Sequence, residues 1–160
     1  SDISRGDRLD EMEFHFPLQT GADPIARLND VSYLRSRHVP FGLAGMMTGL
    51  IDLLYRRNDQ YFIIDYKSNF LGLLPAYYRP ELLAEAMLDQ HYALQFLIYT
   101  IAVHRMLKNS LPDYDYEHHF GGIHYLFLRG MDGTSRNGIY SHRPAFSLIM
   151  ELDRLLGENR

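Results

Sequence analysis

The 160-residue chain contains no cysteine, which excludes disulfides and thiolate metal sites and is compatible with an intracellular protein. It has no apolar run near the ~20 residues that a membrane-spanning helix requires. It has no internal repeat and no low-complexity segment. Basic charge is also in short supply: 16 Lys and Arg against 20 Asp and Glu leave a net charge of −4. Domains that grip nucleic acid by electrostatics alone are usually basic. Any such contact here must therefore be local, bridged by a metal, or shared with other protein. Lysine is the scarcest basic residue, since only Lys67 and Lys108 occur and the other basic residues are arginines. The glycine-spaced run 42–49 (GLAGMMTG) lacks the Lys-Ser/Thr pair of a phosphate-binding loop and is not read as a nucleotide cradle. It is expected to let the backbone turn tightly before a strand, or to approach a ligand closely.

What is present is ordinary globular material. With 46% hydrophobic and 22% charged residues, the chain is expected to form one domain over residues 1–160 with a sizeable core. Residues 1–10 read as an irregular lead-in. Residues 12–18 alternate as a strand, with Met12, Phe14 and Phe16 on one face and Glu11, Glu13 and His15 on the other. Residues 23–38 read as a helix with Asp23 as N-cap and Pro24 at its first position. Strands follow at 50–55, 61–66 and 122–129, with a short extended piece at 139–142. A long apolar helix covers 81–109, with a break near Asp89-Gln90, and a polar aromatic loop covers 111–119. A closing helix at 145–156 turns Phe146, Ile149 and Leu156 inward. Strands interleaved with helices indicate an α/β fold with a mixed sheet.

The informative stretch is 49–69, GLIDLLYRRNDQYFIIDYKSN. Two apolar runs flank a short polar segment and read as a hairpin. A turn centred on Asn58-Asp59 places Asp52 opposite Asp65, where two like charges repel at close range. Lys67, two residues on, shares the face of Asp65. Such a cluster needs a cation: the lone Lys as one corner of an ion triad, or a divalent metal such as Mg²⁺, which takes oxygen ligands. On the long helix, Tyr92, Gln95 and Tyr99 fall on one face, a pattern equally at home in an interface or a core. His118-His119 is a weak metal signal, because adjacent side chains on an extended chain point apart.

The order Asp52, then Asp65-Tyr66-Lys67, resembles the D…(D/E)xK signature of the restriction-endonuclease-like nucleases. The wording GLIDLLYR, YFIIDYKSNFLG, HYALQFLIYTIAVHRML and LPDYDYEHHFGGIHYLFLRGM resembles the C-terminal nuclease domain of the RecB family, the beta chains of exodeoxyribonuclease V. The likeness runs from about Arg8 to the C-terminus. It implies a mixed β-sheet flanked by helices (α/β/α) and a Mg²⁺-dependent exodeoxyribonuclease, with Mn²⁺ as a possible substitute. Asp52 and Asp65, with the Tyr66 carbonyl, would hold the metal, and Lys67 would orient the attacking water and stabilise charge on the phosphate. Gln95 and Tyr99 match the family's QxxxY element. Glu11 fits its acidic position on the first strand, with Glu13 as the close competitor. The implied partners are DNA and the gamma and alpha chains of the complex, in the bacterial cytoplasm and with no membrane. The implied setting is ATP-driven, helicase-coupled processing of broken DNA in recombinational repair. Members of this family carry a metal-binding His on a helix upstream of the first strand, and nothing here matches it. The expectation is a fragment of a larger helicase-nuclease, with weakened metal binding and low activity on its own. The competing reading is a non-catalytic nuclease fold kept for DNA or subunit docking.

Overall fold

The structure, a computed structural model, describes residues 4–17, 46–89 and 92–157, with the backbone alone at 16, 17, 88 and 89. The expected helix at 23–38 lies outside the described residues.

The central hairpin forms as its pattern predicts. Strands β2 (Met46–Arg57) and β3 (Gln60–Lys67) pair antiparallel from Arg57–Gln60 to Leu53–Ile64. Asn58 and Asp59 join them with φ of 50° and 61°, the two left-handed residues that a type I′ turn demands. On one side, β1 (Arg8–Pro17) pairs antiparallel with β2. On the other, β4 (Phe120–Phe127) lies parallel to β3, and β5 (Ile139–His142) returns antiparallel to β4. The described strands thus form one mixed sheet in the order β1-β2-β3-β4-β5, an α/β architecture as expected. The parallel step from β3 to β4 requires a long crossover. It contains α1 (Pro80–Asp89), α2 (Tyr92–Ser110) and the short α3 (Tyr116–His119), while α4 (Phe146–Leu155) follows β5.

Several elements depart from the sequence reading. β1 starts at Arg8, so Arg8–Asp10 is strand rather than lead-in. β2 starts at Met46 and takes in the end of the glycine run. Gly49 is not a turn there: a Cβ at this position would stand 2.3 Å from Phe14 Cζ, so the missing side chain makes room for a ring on β1. The expected loop at 111–119 ends in α3, capped by the Asp115 carboxylate accepting from the His118 N–H. The helical stretch read at 81–109 with a break near Asp89-Gln90 is described as α1, ending at Asp89, and α2, starting at Tyr92, in keeping with that reading. Phe146 is 38% exposed rather than inward, although its ring stacks on buried Tyr116; Ile149 and Leu156 are buried as expected.

The core sits between the sheet and α2. Ala93, Phe96, Leu97, Ile101, Val103 and Leu107 on α2 are buried, as are Ile51, Leu54, Ile63, Ile123 and Phe127 on the strands. Each large side chain so buried contributes ~1.5–3 kcal/mol. This packing fixes α2 against the end of β3 that carries Asp65.

Three histidines enter this fold neutral. Burial pushes His104, His124 and His142 below the ordinary imidazole range, and the Asp153 charge only partly offsets this at His104. A depressed histidine means that the unfolded chain binds protons the folded one refuses, so stability is lost as pH falls from about 6.5. The melting temperature should therefore drop between pH 7.5 and pH 5, with a smaller drop in His104→Phe. A flat profile across that interval would contradict the assignment.

Candidate active site

The site forms where β2, β3, β4 and α2 converge. The β2–β3 ladder stops at Leu53–Ile64, one step short of Asp52 and Asp65. From there the Asp52 carboxylate takes over: its Oδ2 accepts the Tyr66 N–H at 2.8 Å. Asp52 is thereby held beside the strand carrying Asp65, as the hairpin register predicts. β2 also loses its alternation here, since Leu53 and Leu54 are both buried.

Asp65 is 3% exposed. Burial raises its carboxyl above the usual range, the Asp52 charge adds to the rise, and Lys67 works against it. For an acid raised in the fold, the associated stability is present below its unfolded pKa and is lost as pH rises through the folded one. The ionised site is therefore a costly state that a cation relieves. Lys67 supplies one such charge. Its Nζ is 2.6 Å from Asp65 Oδ2, yet that oxygen has no hydrogen-bond partner of acceptable geometry, so the contact is an ion pair with acceptor capacity left over.

The ammonium is held from above by α2. Lys67 Nζ donates to Gln95 Oε1 at 3.0 Å, and Gln95 Nε2 donates to the Tyr99 hydroxyl at 3.0 Å. Tyr125, opposite Asp65 on β4, donates its hydroxyl to the same Gln95 Oε1 at 3.2 Å. The helical spacing of Gln95 and Tyr99 thus becomes one hydrogen-bonded chain ending next to the carboxylates. Burial, then the charges of Asp65 and Asp52, push the Tyr99 phenol up to about 12, so it stays a protonated donor at neutral pH.

The structure therefore brings together Asp52, Asp65, Lys67, Gln95 and Tyr99. Tyr66 contributes its N–H to Asp52, while its ring is 45% exposed. Glu11 is only a neighbour in register: it falls between the Asp10–Leu53 and Met12–Ile51 pairs, the step that faces Asp52. It is a non-glycine residue at φ 52°, and its side chain is exposed. Backbone held in that region costs energy and is concentrated at functional sites. Glu13 lies two residues on, 3.7 Å from His15 and far out in solvent. The histidine pair resolves into local capping, with the His119 ring bonded to the Asp115 backbone.

Three participants were not read from the sequence as site residues. Tyr125 and Asn69 had no signal beyond lying within the quoted runs. Tyr92 was placed on the right face but assigned no part. Its ring centroid is 4.1 Å from Lys67 Nζ, and its hydroxyl donates to Asn69 Oδ1 at 3.0 Å.

Among the described residues, no group of three or more His, Asp or Glu side chains forms a metal cage. Two carboxylates suffice for Mg²⁺, which commonly binds through one or two and keeps its waters. The oxygen-only donors, the destabilised buried Asp65 and its under-used oxygen fit a hard cation. Among the described residues no helix is long and apolar enough to cross a membrane.

No protein-family model matches the chain. It is 43% identical over 157 residues to RecBCD enzyme subunit RecB of Haemophilus influenzae, covering 96% of this chain and 13% of that protein. The RecB subunit of Escherichia coli K12 is 40% identical over 97% of the chain and 14% of its own length. That of Mycobacterium tuberculosis H37Rv is 35% identical over 96% of the chain and 17% of its own. The chain thus spans only a small part of the length of the relatives it matches.

Proposed function

We propose that this chain, homologous to RecB over nearly its whole length, is the nuclease domain of a RecB-type subunit. In this reading it hydrolyses phosphodiester bonds in DNA with Mg²⁺, or with Mn²⁺ as a substitute. The observation that carries the reading is the buried Asp65–Lys67 pair, set beside Asp52 and aligned from α2 by Gln95. In the full protein, DNA would arrive from an attached ATP-driven helicase, in company with the alpha and gamma chains, during repair of double-strand breaks in the bacterial cytoplasm. Delivery by other protein also accounts for a domain without a basic surplus.

Asp52, Asp65 and the Tyr66 carbonyl would hold the metal. When bound, it supplies charge neutralisation at the phosphate and a more acidic water. The chain's own residues do the rest. Hydrolysis forms a bond from water oxygen to phosphorus and breaks one to a sugar oxygen, which leaves with a proton. Lys67, a fixed ammonium at the site, orients the water and stabilises charge developing on the phosphate oxygens. Gln95 holds Lys67 in place with its Oε1 and spaces Tyr99 from it with its Nε2. Held rigidly before the substrate arrives, these groups need no reorganisation during the reaction.

The test is a calorimetric titration of Mg²⁺ and of Mn²⁺ into the chain and into Asp65→Ala, run beside cleavage of single-stranded DNA. Saturable binding should appear in the wild type and vanish in Asp65→Ala, and cleavage should vanish with it. A folded chain that neither binds metal nor cleaves, even when extended upstream, would instead make it a non-catalytic docking module.

A further inference from the structure

Lys67 is gripped at a second point that the nuclease reading does not use. Its Nζ stands over the Tyr92 ring, 4.1 Å from the centroid, with the Tyr125 ring at 5.2 Å. Asn69, two residues beyond Lys67 on the same stretch, accepts the Tyr92 hydroxyl at 3.0 Å. The segment leaving β3 therefore holds one ring of α2 by its face and by its hydroxyl. Tyr92 in turn stacks on Tyr125, centroids 5.9 Å apart and planes 26° from parallel, and Tyr125 donates to the same Gln95 oxygen that receives Lys67. The circuit Lys67–Gln95–Tyr125–Tyr92 closes around the ammonium.

We propose that Tyr92, tethered by Asn69, is a positioning residue for Lys67. The negative face of its ring fixes where the ammonium sits, and the Asn69 bond fixes where the ring sits. An aromatic face attracts a cation electrostatically and offers it no directional acceptor. It can hold Lys67 on one side without taking it out of reach of an incoming phosphate. A carboxylate there would compete for the charge. An aliphatic side chain would leave the long, flexible Lys stem free to swing. Buried packing alone would ask only for an apolar shape at this position. It would not ask for a hydroxyl paired with Asn69, nor for a ring face turned to a cation.

The kinetic half of this inference rests on the nuclease reading; the geometric half does not. Because the chain has only two lysines, ¹³C-lysine labelling gives two sets of Cε–Hε signals, Lys67 and Lys108. The Lys67 signals should lie upfield of those of Lys108, shifted by the ring beneath them. Tyr92→Leu should abolish that shift, while Tyr92→Phe and Asn69→Ala, which each keep the ring but lose its tether, should reduce it to a similar degree. With single-stranded DNA as substrate and Mg²⁺ present, Tyr92→Leu should lower kcat about tenfold and leave KM within about twofold, with Tyr92→Phe and Asn69→Ala falling between Tyr92→Leu and wild type. Lys67 signals that are the same in wild type and Tyr92→Leu would overturn the inference, as would a lost shift with kcat unchanged. If the wild-type chain cleaves nothing, even when extended upstream, the nuclease reading falls and the spectra alone decide: loss of the shift in Tyr92→Leu upholds the positioning, and its persistence overturns it.

Discussion

Lys67→Met should lower the rate of single-stranded DNA cleavage by about two to three orders of magnitude while metal binding stays saturable. Methionine retains the unbranched stem, which matters because the Lys67 side chain is only 11% exposed and a shorter residue would leave a cavity. What the substitution removes is the ammonium, the one cation among the described residues in direct contact with the buried Asp65 carboxylate. Burial and the Asp52 charge both push the Asp65 carboxyl up, and Lys67 is what offsets them. Without it, Asp65 must hold its proton to higher pH. A carboxylate has to be deprotonated to bind metal, so the pH at which binding appears should move upward in the variant. Lys67→Arg should also fall below wild type, because a planar guanidinium does not reproduce a compact charge seated between an amide oxygen and a ring face. The measurements are initial rates at saturating metal and DNA, paired with calorimetry at two pH values. A Lys67→Met chain cleaving within about tenfold of wild type would take Lys67 out of the chemistry.

The sequence was most legible where local rules act alone. Two apolar runs around Asn58-Asp59 fix the turn, the turn fixes the register, and the register alone predicts that Asp52 faces Asp65. Helical spacing likewise brings Gln95 and Tyr99 to one face, and the structure adds only that this face looks at Lys67. Legibility fails where partners come from distant elements. That Tyr125 meets Gln95 depends on β4 lying parallel to β3, and the parallel register is set by the crossover and the core rather than by any motif. Asn69 means little until Tyr92 is known to sit above it. Gly49 misled for a related reason: a glycine reads locally as a turn, but here its missing side chain is occupied by Phe14 from another strand. Phe146 was placed inward by periodicity, yet a ring can satisfy much of its apolar surface by stacking on Tyr116 at the rim. Glu11 has the opposite status. Its acidic position came from a resemblance, and the structure adds the left-handed backbone and the register facing Asp52 without bringing its carboxylate into the hydrogen-bonded cluster.

Asp153→Ala should cost ~3–5 kcal/mol of stability, the largest single loss expected away from the site. Asp153 on α4 and Arg105 on α2 form an ion pair whose side chains are only 3% and 8% exposed. The Arg105 guanidinium also donates to the backbone carbonyls of Asp153 and Gly157, so it caps the last turn of α4 as well as pairing with it. Removing the carboxylate takes the buried Asp153 charge away from a desolvated guanidinium, which is worse than removing both charges together. For a domain of this length, the loss corresponds to a fall in melting temperature on the order of 10 °C. The double replacement Arg105→Met with Asp153→Leu should recover most of it, since an apolar pair of similar volume avoids the desolvation that the ion pair must overcome. Denaturant unfolding of the two single variants and the double one gives the coupling directly. Because α4 does not contribute to the Lys67 cluster, Asp153→Ala assayed well below its melting temperature should cleave DNA at close to the wild-type rate. Loss of activity without loss of stability would mean that the α2–α4 staple sets the position of Gln95 rather than merely holding the helices together. A cost under about 1 kcal/mol would place the pair in the class of solvent-relaxed surface bridges.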